Sequence, residues 1–101
     1  DWFEPSAWAT LLSEAFLVSS PSRVGVRLSG APLAHRWRGQ LASEGIVEGA
    51  VQVPPDGQPI VMLADHPTTG GYPVIAVIDP ADLGQVAQAA EGVALRFTTP
   101  R

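Results

Sequence analysis

Proline and glycine interrupt this chain so often that few of its elements can be long: ten of each are scattered through 101 residues, with no tract of either. Proline removes a backbone donor and glycine frees the chain to bend, so the spacing predicts many turns between short elements. That pattern favours β architecture. At this length a fold buries about 60–70% of the surface its unfolded chain exposes, which is enough for one core and not for two. Residues 1–101 are therefore read as a single domain. The chain is 46% hydrophobic and only 16% charged, against about 25% charged in an average domain, so apolar surface is left over for a partner.

Charge and composition exclude several function classes. A net charge of -4 gives no drive towards nucleic acid or anionic lipid, both of which need clustered Lys and Arg. No apolar stretch approaches the roughly 20 residues that span a bilayer, and Asp1-Trp2-Phe3-Glu4 does not resemble a signal peptide. The aromatic opening without Met reads as a domain cut from a longer chain. With no cysteine there is neither a disulfide framework nor a thiolate metal site, and the cytoplasm is the expected compartment. Two histidines offer no metal-ligand set.

Along the chain, Pro5 to Ala15 has a helical start and an apolar stripe at Trp8, Leu11, Leu12 and Ala15. Val24, Val26 and Leu28 alternate as a strand, and Leu33 to Arg38 is read as another, carrying a basic aromatic cluster of His35, Arg36, Trp37 and Arg38 that fits an ordinary edge strand. Ala50–Val53 and Pro59–Leu63 form a hairpin around Pro54-Pro55-Asp56-Gly57-Gln58, where Asp-Gly supplies the positive φ of a tight reversal. Val74 to Ile78 is a continuous β-branched run, read as a strand buried on both faces. Asp79 caps a second helix with Pro80 at its first position, Leu83, Val86, Ala87 and Ala90 form its stripe, and Gly92 ends it. Val93, Leu95 and Phe97 make a last strand. Short strands with two small helices predict a barrel or sandwich capped by helices.

The segment richest in chemistry is Asp65-His66-Pro67-Thr68-Thr69-Gly70-Gly71-Tyr72-Pro73, lying between two apolar strands. Paired glycines let a backbone approach a ligand and aim its N–H groups at an oxyanion or carbonyl. The same residues also fit a decorated turn in which Thr and Asp bond their own backbone. Glu44 and Glu48, four apart in a Gly-rich stretch, offer an acid/base pair or a solvated loop. No GxxxxGK[ST], GxSxG, HExxH or CxxC signature is present, so any ATP must be bound elsewhere.

Three segments resemble one family: Ser22-Arg23-Val24-Gly25-Val26-Arg27-Leu28-Ser29-Gly30, then Ser43 to Ile60 with its QVPPDGQPI string, then TTGGYP from Thr68 to Pro73. The family is that of the 5-oxoprolinase C-type subunit, also called allophanate hydrolase subunit 2 or the Kip antagonist, and it is similar to the carboxyltransferase region of urea carboxylase. The resemblance runs from Phe16 to Phe97. It implies a mainly β, cyclophilin-like β-barrel with two short helices, forming the C-terminal half of a two-part subunit. His66-Pro67 stands where the family usually has Arg-Gln, and Ser22 where it usually has Asp or Asn. Losing a forked cation at the turn implies weaker or pH-dependent anion binding there.

What the resemblance implies about function follows from the complex. This half would work with the N-terminal half of the same protein, with a B-type 5-oxoprolinase or allophanate hydrolase subunit 1-like partner, and with a further catalytic component. That complex uses ATP to open the lactam of 5-oxoproline to glutamate; this chain itself would bind no cofactor. Arg23, Gln52, Gln58, Thr68, Thr69, Gly70, Gly71 and Tyr72 would line the substrate pocket, with Asp65 or Asp56 as base. Neutral amides and hydroxyls suit an amide substrate. Two other readings differ in class: a carboxyltransferase that receives its carboxyl group from biotin on a partner, and a non-catalytic regulator that binds a kinase-inhibitor-type partner through an apolar face.

Overall fold

The computed structural model describes residues 3–36 and 44–99. Helix α1 (Pro5–Ser13) starts at a proline, as expected, and stops where Glu14 turns extended to enter β1 (Ala15–Ser20). The strands that follow are β2 (Gly25–Ser29), β3 (Glu44–Gly45), β4 (Ala50–Gln52), β5 (Ile60–Met62), β6 (Thr69–Gly70), β7 (Val74–Val77) and β8 (Ala94–Arg96). A 3-10 turn at Pro80–Asp82 leads into α2 (Leu83–Gln88), and the Asp79 side chain accepts a hydrogen bond from the Ala81 N–H, as a capping residue should.

Six strands pair antiparallel in the order β7-β4-β5-β2-β1-β8, and the sheet curls into a half-barrel. The mainly β expectation with two short helices is therefore met. Strand alternation explains the curl's interior: Phe16 and Val18, Val26 and Leu28, Val51, Val61 and Ile75 all point to one face. Phe3, Ala7 and Leu11 close that core from the α1 side, with Leu33, Val53 and Leu63 at its ends. A smaller apolar cluster of Ala50, Ile60 and Met62 sits on the outer face, covered by Ile46. The ribbon that covers it is the two-stranded sheet of β3 and β6.

Two readings of the sequence are corrected. Val74–Val77 is not buried on both faces: it lies at one edge of the sheet, with Val74 44% and Val77 58% exposed. Residues 33–36 form no strand; His35 makes an isolated bridge to Phe3, and Arg36 pairs with Glu4. Trp37, Arg38 and Ser43 lie outside the described residues. Among the described residues no helix is long and apolar enough to cross a membrane.

The Asp56-Gly57 reversal forms as the sequence demands. Gly57 has φ +78°, and a Cβ there would stand 2.9 Å from Pro32 Cβ, so the turn needs glycine for both conformation and space. Gln58 then locks the turn to the end of β2: its Oε1 accepts from the Gly30 N–H at 2.8 Å and its Nε2 donates to the Gly30 carbonyl at 3.2 Å. Gln58→Leu should cost about 1–3 kcal/mol by removing both bonds. Urea denaturation measures it; an unchanged midpoint would show that water replaces the pair at no cost.

Candidate functional site

Residues 63–73 leave the end of β5, cross the outer face of the sheet as β6 and return to β7. Their start is tied to the β1–β2 loop: the Leu63 N–H bonds the Val24 carbonyl and the Asp65 N–H the Arg23 carbonyl. Ser22 holds that loop in shape, its Oγ accepting from the Val24 and Gly25 N–H groups and donating to the Gly25 carbonyl. Arg23 Nε lies 3.2 Å from Asp65 Oδ2 with both side chains largely in solvent, where an ion pair contributes little stability. His66 Nδ1 lies 2.6 Å from the Pro67 carbonyl oxygen.

The middle of the segment forms the ribbon. Gly45 faces Thr69, Glu44 faces Gly70, and the Ile46 N–H bonds the Thr68 carbonyl. The ribbon lies so close to the sheet that a Cβ on Gly70 would be 2.5 Å from Ile46 Cδ1 and 2.7 Å from Gln52 Nε2, so any side chain there must displace one of those side-chain ends. Farther on, the Val53 N–H bonds the Pro73 carbonyl and delivers the chain to β7.

Gln52 is the polar group that this arrangement buries. Val51 points into the main core, so Gln52 on the same strand points out, beneath Gly70, with 6% of its surface exposed. Its carboxamide makes no hydrogen bond with any of the described residues. The carboxamide atoms are not sealed from solvent, so the amide stands open to the donor and acceptor of a ligand. A carboxamide presents a donor and an acceptor side by side, which matches the N–H and C=O of an amide, a urea or a lactam.

The other residues singled out in the sequence are divided among three places. Gln52, Thr68, Thr69, Gly70 and Gly71 belong to the ribbon and the face beneath it, the Thr69 side being exposed and Gly71 half-buried; Tyr72, exposed, follows them. Arg23 lines a separate concavity of about 440 Å³ with Ser22, Glu48, Leu63 and Leu83. Asp65 stays with Arg23. Asp56 and Gln58 sit in the β4–β5 turn, where Asp56 Oδ1 accepts from the Gln58 N–H and Gln58 is engaged with Gly30. Sequence reading passed over Ile46, which roofs the outer cluster, and Arg27, whose outward position the alternation of Val26 and Leu28 does signal. Among the described residues no three His, Asp or Glu side chains gather where a metal ion could be held.

Comparison with known proteins adds an independent line. A family model described as carboxyltransferase domain, subdomain A and B, matches residues 1–99. The C subunit of 5-oxoprolinase from Haemophilus influenzae is 45% identical over 85 residues, covering 84% of this chain and 28% of that protein. Urea amidolyase of Lachancea kluyveri is 28% identical over 109 residues, covering 96% of this chain and 6% of that protein. Among solved structures, a crystal structure of TTHA0988 superposes with a TM-score of 0.86 at 42% identity, covering 96% of this chain and 19% of the other. The chain thus spans under a third of the length of each of these relatives.

Proposed function

Because the chain belongs to the carboxyltransferase domain family, subdomain A and B, we propose that it is part of a 5-oxoprolinase-type subunit whose outer sheet face, beneath the ribbon, orients a cyclic amide through Gln52. The observation that carries the reading is Gln52, a residue only 6% exposed whose carboxamide has no hydrogen-bonding partner among the described residues. Its Nε2 donates to the lactam carbonyl and its Oε1 accepts from the lactam N–H, a reciprocal pair in a site shielded by the ribbon. The ring carbonyl is thereby held while the C–N bond is opened by water, giving glutamate from 5-oxoproline. The similarity to the C subunit of 5-oxoprolinase supports this substrate class.

ATP drives the opening in the proposed complex. The described residues offer no triphosphate cradle: the motif for one is absent from the sequence, and the arginines are spread over the fold instead of facing one cavity. ATP is therefore assigned to a partner, together with the chemistry that activates the carbonyl. The proposed partners are a B-type 5-oxoprolinase protein of the allophanate hydrolase subunit 1 kind, a further catalytic component and the other half of this protein. The cytoplasm is the proposed compartment, on the lack of cysteine in the chain.

The test is ATP-dependent hydrolysis of 5-oxoproline by the full-length protein assembled with its partners. Gln52→Leu should lower kcat/KM by about 10- to 100-fold, the equivalent of two lost hydrogen bonds. Thr69→Val, on the exposed face of the ribbon, should have the smaller effect. A wild-type complex that assembles and does not turn over 5-oxoproline overturns the reading. The similarity to urea amidolyase then favours carboxyl transfer to a urea-like substrate from biotin on a partner, and Gln52 would pair with that substrate's amide.

A further inference from the structure

Arg27 and Gln52 stand in one row across the outer face of the sheet. Arg27 on β2 is opposite Ile60 on β5, and Ile60 is opposite Gln52 on β4. Val26, Leu28 and Val51 point into the main core, so Arg27 and Gln52 both point out. Neighbouring strands are about 4.8 Å apart, which separates the two backbones by about 10 Å. Ile60 lies between them as an apolar floor, with Ile46 of the ribbon as its roof.

The arginines differ in how they are engaged. Arg23 pairs with Asp65, Arg36 pairs with Glu4, and Arg96 donates to the Ser13 carbonyl. The guanidinium of Arg27 makes no ion pair and no hydrogen bond with any of the described residues. One face of the sheet therefore carries, in a single row, an unpaired forked cation and the unpaired amide of a largely buried glutamine, with an isoleucine between them. A guanidinium fork matches a carboxylate in two parallel bonds, and a carboxamide matches a lactam or amide.

We infer that Arg27 is the specificity-determining residue of this face and that the row Arg27–Ile60–Gln52 selects a small amide bearing a carboxylate. Arg27 takes the carboxylate, Gln52 takes the amide, and Ile60 packs against the carbons between them. The ribbon has only two residues in each strand, a ladder weak enough to lift over a small ring and settle on it again. The inference rests on the cyclic-amide reading above and adds to it the second handle by which the substrate is recognised. It also assigns the anion site to β2, away from the His66-Pro67 turn.

Calorimetric binding to the full-length protein separates the two ideas, with 5-oxoproline and 2-pyrrolidinone, the same lactam without its carboxylate, as probes. Wild type should bind 5-oxoproline at least about 10-fold more tightly than 2-pyrrolidinone, the worth of a charge-assisted hydrogen bond. Arg27→Gln, on an exposed side chain that no fold contact uses, should abolish that preference and leave the affinity for 2-pyrrolidinone unchanged. Arg27→Lys should restore part of it. A preference that survives in Arg27→Gln, or a wild-type protein that binds both lactams equally or neither, overturns the role of Arg27. Turnover of 5-oxoproline by the assembled wild-type complex, measured alongside, decides the cyclic-amide reading separately. Active wild type with an Arg27→Gln variant of unchanged KM would leave that reading standing and remove this one.

Discussion

Gly70→Ala should leave the protein folded and lower kcat/KM for the proposed 5-oxoproline hydrolysis by about 100-fold. The added methyl meets Ile46 Cδ1 at 2.5 Å and Gln52 Nε2 at 2.7 Å, and both are ends of flexible side chains. They can swing aside at small cost in stability. What they cannot do is swing aside and keep the Gln52 amide aimed where it is, and a misplacement of about 1 Å in a positioning group is worth about 100-fold in rate. Steady-state kinetics of the assembled complex, with thermal unfolding of the same sample, gives both readouts. Near-wild-type turnover in a folded Gly70→Ala variant would place the reacting ring somewhere other than beneath this ribbon.

The largest effect on stability is expected from Phe16→Ala. Phe16 has no exposed surface, packs edge-on against Phe97 with ring centroids 5.8 Å apart, and leaves Gly30 so little room that a Cβ there would touch its ring at 2.8 Å. It thus joins β1, the segment after β8 and the end of β2 at one point. Truncating a buried phenylalanine costs about 3–5 kcal/mol, a large share of the roughly 5–15 kcal/mol that holds a domain together. Each kcal/mol moves the midpoint by about 4–8 °C at this size, so thermal unfolding followed by circular dichroism should show a fall of at least about 12 °C. A fall of only a few degrees would mean that the neighbours collapse into the space, and that this corner of the core is looser than its packing implies.

The elements legible from sequence are those with a local cause. Asp56-Gly57 forces a reversal because only a small set of residues accepts a positive φ, and the β4–β5 hairpin follows from it. Asp79-Pro80 starts a helical turn because its carboxylate can reach the Ala81 N–H two residues on. Val74–Val77 was misread for the opposite reason. A β-branched run reads the same in the middle of a sheet and at its edge, and only the strand order reveals that β7 pairs on one side.

The site divides in the same way. Thr68-Thr69-Gly70-Gly71 is visibly unusual as a string, yet its purpose depends on what lies under it. Gln52 and Gln58 are the same residue six positions apart, and the sequence treats them alike. The fold gives Gln58 both polar groups of Gly30 and leaves Gln52 buried beneath the ribbon. Arg23 and Arg27 are separated in the same manner, one paired at the surface and the other aligned with Gln52. Composition, turn chemistry and strand alternation are properties of neighbours in the chain, and they determined that this protein is mainly β, where it bends and which face of its alternating strands is buried. Which strand lies at an edge, which amide goes unpaired and which cation shares its row depend on contacts between residues far apart in sequence, and those were settled only when the sheet curled and the ribbon folded across it.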